Sequence, residues 1–251
     1  MKRILVCNDD GIHAAGINAL VKVLEPFGEV TVMAPLTEQS ATSHALTMHH
    51  PLRIQKIADR RFGVEGTPTD CVLLAVKELL DQKPDLVVSG INQGPNMGED
   101  VIYSGTVAAA MEGAILGIPS MAVSLASWTF SEFEGAGKTA ANLTRILLER
   151  DLPDRFLVNV NVPPIPVSEI RGVRITRLGN REYNDSFIKQ TDPRGRDYYW
   201  IGGGDPSWTP STNSDFNAVS ENYVSVTPLL MDLTDDRQIG FLKTLDLEGA
   251  G

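Results

Sequence analysis

The chain has 251 residues, a formal net charge of −10 and a pI near 4.9. This length suffices for a full α/β core, either as one large domain or as a domain with an appendage. The excess of carboxylates argues against a nucleic-acid polymer or an anionic membrane as a partner. A small anionic substrate stays compatible with the composition if a cation supplies local positive charge.

The two cysteines, Cys7 and Cys71, indicate a reducing compartment. Each lies in an apolar segment, and neither has a neighbour at the spacing of a zinc or redox motif. We therefore expect buried free thiols. The first strand pattern begins at Arg3 without a signal region, and no apolar run reaches the length of a membrane span. We expect a soluble, cytoplasmic protein.

Residues 3–7 are mostly apolar and β-prone, which predicts a strand buried on both faces of a sheet. Asn8, two adjacent carboxylates (Asp9 and Asp10) and Gly11 follow directly. Ligands of open parallel sheets bind beyond the carboxyl ends of the strands, and two neighbouring Asp side chains repel each other unless a cation or a proton stabilises them. The alternative is an Asx-type turn that only leads into the next helix.

Strand and helix patterns alternate along the next 150 residues. Helical spacing at Ile17 and Leu20, followed by an apolar strand at residues 30–34, predicts a β-α-β unit with a right-handed crossover. Thr67 and Asp70 form a capping box that begins a helix. The further predicted elements are short surface strands at 52–57 and 61–64, strands at 85–89 and 120–125, a glycine-rich loop at 90–105, and helices at 106–116 and 137–149. This alternation predicts an α/β fold with a mostly parallel sheet.

The last third of the chain has a different residue pattern, with more polar and aromatic side chains between its predicted elements. Residues 156–162 alternate polar and apolar side chains before two prolines, which predicts a strand nearer a sheet edge. Residues 182–204 are polar and aromatic and predict a hairpin with a turn at 192–195, before a strand at 223–226 and a helix at 236–245. We divide the chain into a core (1–166) and a C-terminal part (167–251).

Three polar segments follow predicted strands, so we expect them to meet at one edge of the sheet. They contain Asp9 and Asp10, then Ser40 in the loop at 36–50, then Asn92 and Asn96 in the glycine-rich loop. Carboxylate, hydroxyl and amide oxygens suit Mg²⁺, Mn²⁺ or Ca²⁺ and do not suit a structural zinc. A merely solvated role for the loop at 36–50 is the alternative.

Lys, Arg and His are missing from two of these three segments. No Lys, Arg or His lies between residues 84 and 137, or between residues 4 and 12. A bound phosphate would therefore need a metal and a helix N-terminus, which Ser104, Gly105 and Thr106 offer. Simple N-capping by Ser104 is the alternative. His13 and His44 either line the site or are ordinary surface histidines.

Several segments resemble the stationary-phase survival protein SurE family, in the same order and across essentially the whole chain. They are Asn8 to Ile12 with Gly16 and Ile17, Ala34-Pro35, Ser40 to His44, Gly66 to Val72, Ser89 to Gly98, Tyr103 to Val107, and Tyr223 to Leu229. The resemblance implies a Rossmann-like, doubly wound sheet. It also implies a C-terminal extension, made of the hairpin arm and last helix, that is used in oligomerisation.

The resemblance further implies a metal-dependent phosphatase acting on nucleoside 5′- and 3′-monophosphates, in some members also on short polyphosphate. The family's metal ligands fall on Asp9, Asp10, Ser40 and Asn92, with one Mg²⁺ or Mn²⁺ per subunit. Asp9 and Asp10 are the expected catalytic residues. Phosphate contacts are expected at Asn96, Ser104, Gly105 and Thr106. A non-catalytic metal and nucleotide sensor, or a glycosyl- or nucleoside-transfer enzyme on a similar sheet, are the alternatives.

The hairpin arm (residues 182–204) concentrates aromatic side chains in a polar segment. These are Tyr183, Phe187, Tyr198, Tyr199 and Trp200. An isolated hairpin of this kind is marginal in water, and Tyr and Trp are enriched at interfaces. We expect a homodimer or homotetramer in which the arm reaches a neighbouring subunit. The alternative is an arm that folds back as a lid over its own crevice.

Overall fold

The computed structural model describes residues 1–182, 187–201, 207–209 and 211–245; the expectation for Tyr183 lies outside them. The strands of this part of the chain are β1 (Arg3–Cys7), β2 (Glu29–Pro35), β3 (Ile54–Ala58), β4 (Arg61–Val64), β5 (Leu86–Gln93), β6 (Ser120–Leu125), β7 (Leu157–Val162), β8 (Val173–Ile175), β9 (Arg181–Glu182), β10 (Phe187–Thr191), β11 (Asp197–Ile201), β12 (Ser207–Trp208) and β13 (Val224–Pro228). The α-helices are α1 (Ala15–Leu24), α2 (Pro68–Leu74), α3 (Gly105–Ile115), α4 (Glu134–Leu148), α5 (Asp215–Ser220) and α6 (Asp236–Lys243).

A nine-stranded sheet organises the fold, in the order β3-β4-β2-β1-β5-β6-β7-β13-β8. All its neighbouring pairs are parallel except β3 with β4 and β7 with β13. The chain leaves β1 for β2 on one side and later returns to place β5 on the other side. The carboxyl ends of β1 and β5 therefore form a topological switch point, where open α/β sheets bind ligands.

Helices cover both faces of the sheet, which confirms the predicted α/β class. On β1, Ile4 and Val6 pack in one apolar cluster with α1 and α4, whereas Leu5 and Cys7 pack in the opposite cluster with α2 and α3. The apolar run of β1 is thus explained by burial on both faces. Cys7 and Cys71 are buried free thiols, as expected, and burial raises the pKa of the Cys71 thiol.

The strand expected at 85–89 continues to Gln93, so Asn92 lies within β5 and not in a loop. The glycine at position 90 suggested a loop, but here it permits a close strand approach. A Cβ on Gly90 would lie 2.3 Å from the carbonyl oxygen of Val123 on the neighbouring β6. Glycine is thus required for packing within the sheet.

The placement of residues 156–162 near an edge is wrong. β7 lies inside the sheet between β6 and β13, and all six of its residues are buried. Its alternating polar residues, Asn159 and Asn161, are buried and hydrogen-bonded to the loop before α3. Alternation therefore reflects a buried polar layer and not a solvent-facing side.

The C-terminal part shares the main sheet, because β8 and β13 extend it beyond β7. The sequence patterns did not predict β8, α5 or the short two-stranded sheet that β9 forms with β12. The predicted hairpin is present as β10 and β11, whose residues are all exposed. No helix of the described residues is long and apolar enough to cross a bilayer.

Candidate active site at the switch point

A pocket of about 740 Å³ opens at the carboxyl ends of β1 and β5. Six of the residues singled out from the sequence line it: Asp9, Asp10, Ser40, Asn92, Asn96 and Ser104. Gly105 and Thr106 lie directly behind this wall, against Asp9. His13 and His44 do not line the pocket; the His44 ring instead lies 2.9 Å from Glu112 on α3.

Asp9 is held by the beginning of α3. Its side chain is buried, and one carboxylate oxygen accepts a hydrogen bond from the Thr106 hydroxyl. Burial raises the pKa of Asp9, and the hydrogen bonds from Thr106 oppose that rise. A helix N-terminus favours a negative charge nearby, so α3 stabilises the ionised form of this carboxylate.

Asp10 is the second carboxylate of the pair. Its Oδ2 accepts a hydrogen bond of 3.2 Å from the backbone N–H of Gln93 at the end of β5. Burial and then the charge of Asp9 raise the pKa of Asp10 to about 6. Two adjacent carboxylates that both resist ionisation mark a place where a cation would be favourable.

The neutral oxygen donors approach from two other segments. The backbone N–H of Gln39 donates to the Asp9 carbonyl oxygen at 2.7 Å, which brings Ser40 to the pocket wall. The Ser40 hydroxyl donates to Glu38 at 2.6 Å. The Asn92 amide nitrogen donates to the Gly94 carbonyl oxygen at 2.8 Å, so its amide oxygen is the group left for a ligand.

A metal fits this donor set, although few anionic groups are present. Among the described residues there is no group of three or more His, Cys, Asp or Glu side chains placed to hold a metal. A cation bound by Asp9 and Asp10 would therefore need neutral oxygens such as those of Ser40 and Asn92. Hard divalent cations accept such mixed oxygen ligands.

Asn96 is held on three sides by buried groups of the sheet. Its backbone N–H donates to the Asn161 side chain at 2.9 Å, and its carbonyl oxygen accepts from Asn159 at 2.7 Å and from Asn161 at 2.9 Å. Its own amide lies 2.8 Å from the Ser124 hydroxyl. We call Ser124, Asn159 and Asn161 the polar clamp. It fixes the loop that carries Asn96 to the floor of the pocket.

One residue at the start of α3 makes a contact that the sequence did not predict. Ser104 caps α3 by accepting the Val107 N–H at 3.1 Å, and Gly105 approaches Asp9 so closely that a Cβ would lie 2.7 Å from the Asp9 Cβ. Thr106, expected to contact phosphate through its hydroxyl, is fully buried and directs that hydroxyl to Asp9. Its position is that of a group that orients Asp9.

Sequence reasoning missed several residues of the pocket wall, namely Glu38, Gln93, Asp100, Tyr103, Trp128, Phe133 and Arg181. Arg181 supplies the positive charge that the nearby segments lack, and its guanidinium contacts both carboxylate oxygens of Asp100 at 2.7 Å. Asp215 ties its segment to the pocket by accepting the N–H groups of Gly98 and Gly179 at 2.8 and 2.9 Å. Arg181 and Asp215 lie far in the chain from all three polar segments, so spacing alone could not associate them with this region.

The sequence can be assigned to a family by comparison with known proteins. The family model described as Survival protein SurE matches residues 4–185. A Gemmatimonas aurantiaca protein named 5′-nucleotidase SurE is 53% identical over 237 residues, covering 92% of this chain and 94% of that protein. A Geobacter sulfurreducens protein of the same name is 50% identical over 245 residues, covering 97% and 94%.

A solved structure agrees with the sequence comparisons. The crystal structure of the SurE protein from Aquifex aeolicus is similar with a TM-score of 0.88 and 43% identity, covering 97% of this chain and 99% of that one. The resemblance inferred from the motifs is thus confirmed. The chain belongs to the SurE family.

Proposed function

We propose that this chain is a metal-dependent 5′-nucleotidase, which hydrolyses nucleoside 5′-monophosphates to a nucleoside and phosphate. The relatives named above carry that activity in their names. The observation in this chain that carries the proposal is the buried Asp9–Asp10 pair at the switch point, surrounded by neutral oxygen donors. Hydrolysis of 3′-monophosphates and of short polyphosphate is part of the same proposal.

The metal-binding part of the proposal assigns Asp9, Asp10, Ser40 and Asn92 to one Mg²⁺ or Mn²⁺ per subunit. The support is the raised pKa of both carboxylates, which a cation would reverse, together with the Asn92 amide oxygen left for a ligand. When bound, such an ion supplies Lewis-acid stabilisation to a phosphoryl group. Thr106 keeps the Asp9 carboxylate in one orientation for this purpose.

The phosphate-binding part of the proposal assigns Asn96, Ser104 and the Gly105 backbone to the phosphate oxygens. Asn96 and Ser104 line the pocket, and Gly105 begins α3, whose N-terminal N–H groups favour an anion nearby. Arg181 lowers the excess of negative charge on the same wall. Asp9 and Asp10 are the catalytic groups, and attack by water and attack by Asp9 are both compatible with this arrangement.

Phosphate release from adenosine 5′-monophosphate, with and without a chelator, tests this function. We expect release that stops with the chelator and returns when Mn²⁺ or Mg²⁺ is restored. The alternative, a non-catalytic metal and nucleotide sensor, predicts metal-dependent nucleotide binding with no release of phosphate. A panel of 3′-monophosphates and tripolyphosphate tests the finer assignments.

We further propose that the chain assembles as a homodimer or homotetramer through its hairpin arm. The side chains of Phe187, Trp200 and Ile201 are 67%, 63% and 75% exposed, which is unusual for apolar groups that lie close together. None of the described residues of the arm lines the pocket, which speaks against the lid alternative. The buried free thiols are consistent with a cytoplasmic location, which is also a proposal.

A further inference from the structure

One aromatic side chain of the pocket wall stays exposed while its position is fixed. Trp128 is 71% exposed, yet its indole ring packs against the backbone of Gly94. A Cβ on Gly94 would lie 2.3 Å from the nearest ring carbon, so only glycine leaves room for the ring at this point. The indole is thus seated on the loop that leads from Asn92 to Asn96.

The turn that carries Trp128 is rigidly hydrogen-bonded. Within it, the Ser127 hydroxyl accepts the N–H groups of Thr129 at 3.2 Å and Phe130 at 3.0 Å. From β5, the Gln93 side-chain amide donates to the carbonyl oxygens of Ser127 at 2.7 Å and Phe130 at 2.8 Å. An exposed Trp on such a turn is preorganised to receive a flat ligand.

Gln93 connects this turn to the catalytic carboxylates. Its backbone N–H holds Asp10, and its side chain holds the turn of Trp128. The same residue therefore fixes the distance between the proposed phosphate end of the pocket and the indole. Phe133 and Tyr103 add further apolar surface to this pocket.

We propose that Trp128 is the stacking platform for the nucleobase of the substrate and that Gln93 positions it. This inference rests on the proposed function, because it names where the nucleoside half of the monophosphate binds. Every base has a π face, so stacking binds all bases and favours the larger purines. Loss of a stacking partner is expected to weaken binding about ten-fold.

The test compares two phosphate esters that differ by the base, adenosine 5′-monophosphate and ribose 5-phosphate, in the full-length protein with saturating metal. For Trp128→Ala we expect the KM of the nucleotide to rise about ten-fold, with little change in kcat and in the kcat/KM of ribose 5-phosphate. Trp128→Phe keeps an aromatic face and restores most of the nucleotide affinity. Gln93→Leu retains the backbone N–H. We expect it to lower the ratio of the nucleotide's kcat/KM to that of ribose 5-phosphate by a smaller factor than Trp128→Ala does.

Trp200→Ala is the matched control, because Trp200 is similarly exposed but lies outside the pocket wall. It should leave the ratio of the two kcat/KM values unchanged. The inference is overturned if Trp128→Ala lowers the kcat/KM of both substrates by the same factor or changes neither value. If the wild type hydrolyses neither ester, the proposed function fails, but calorimetric binding of the two esters to wild type and Trp128→Ala still tests the platform: equal loss, or no loss, overturns it.

Discussion

The pocket at the switch point buries polar side chains, whereas the hairpin arm exposes apolar ones. In the pocket, buried polar groups such as Asp9, Asn96 and Thr106 find their hydrogen-bond partners within the same chain. In the arm, apolar groups such as Phe187 and Trp200 stay exposed, and none of the described residues covers them. Buried polar groups need partners, whereas exposed apolar clusters need a second surface. The comparison teaches that one chain can satisfy the buried polar groups of the pocket, whereas the proposed role of the arm requires a second chain.

The largest expected effect is the loss of a carboxylate in the pocket. For Asp9→Asn we predict a fall in kcat/KM of about 1,000-fold, because the change removes a charge that would bind the metal. The thermal midpoint should not fall, since a buried amide costs less to desolvate than a carboxylate. Asp85→Asn is the control, because Asp85 lies before β5 at the opposite end of the sheet and pairs with Lys2. Near-normal turnover in Asp9→Asn would contradict the assignment of Asp9 to metal binding and catalysis.

The polar clamp gives the next largest effect. Asn161→Leu removes two hydrogen bonds to Asn96, and we predict a drop in kcat/KM of about 10- to 100-fold, mainly through KM. Asn159→Leu removes one bond and should cost less. Ser225→Ala is the control, because Ser225 is buried opposite Asn161 and its hydroxyl makes no hydrogen bond to any of the described residues. Equal kinetics in all three variants would show that the clamp serves only the fold.

A smaller effect is expected for Thr106→Val, which keeps the side-chain shape and deletes the hydrogen bond to Asp9. We predict about a ten-fold increase in the metal concentration needed for activity, with the inhibition constant of inorganic phosphate unchanged. Thr144→Val is the matched control, since Thr144 is fully buried on α4 and, within the described part of the chain, its hydroxyl makes no hydrogen bond. A change confined to phosphate inhibition would instead place Thr106 against the substrate.

The arm should matter least for the chemistry. Replacing residues 182–201 by a short Gly/Ser linker should lower the mass measured by light scattering, because the exposed aromatic surface is lost. Metal affinity should stay within about two-fold, because the residues proposed to bind the metal lie on other segments. An unchanged oligomeric mass would show that the arm is not an assembly element.

The sequence correctly predicted that Asp9, Asp10, Ser40, Asn92 and Asn96 lie together, because each lies at or beyond the carboxyl end of a strand. The double burial of β1 and the positions of Asp9 and Asp10 followed from local patterns alone. The polar clamp could not be found this way, since Asn159 and Asn161 in an alternating strand look solvent-exposed until their partner Asn96 is placed beside them. Thr106 could be placed at a helix start, but the direction of its hydroxyl depends on the contact between the start of α3 and Asp9, which follows β1. Trp128 and Arg181 reach the pocket only through the tertiary fold.

The most direct test of the central claim is calorimetric titration of Mn²⁺ into the wild type and Asp10→Asn. Asp10 lines the pocket, and its carboxylate accepts a hydrogen bond from the Gln93 backbone N–H, so the change to Asn should leave the fold intact. We predict one saturable Mn²⁺ site per chain in the wild type and at least about a ten-fold weaker site in the variant. Equal Mn²⁺ affinity in the two proteins would contradict a metal site at the Asp9–Asp10 pair.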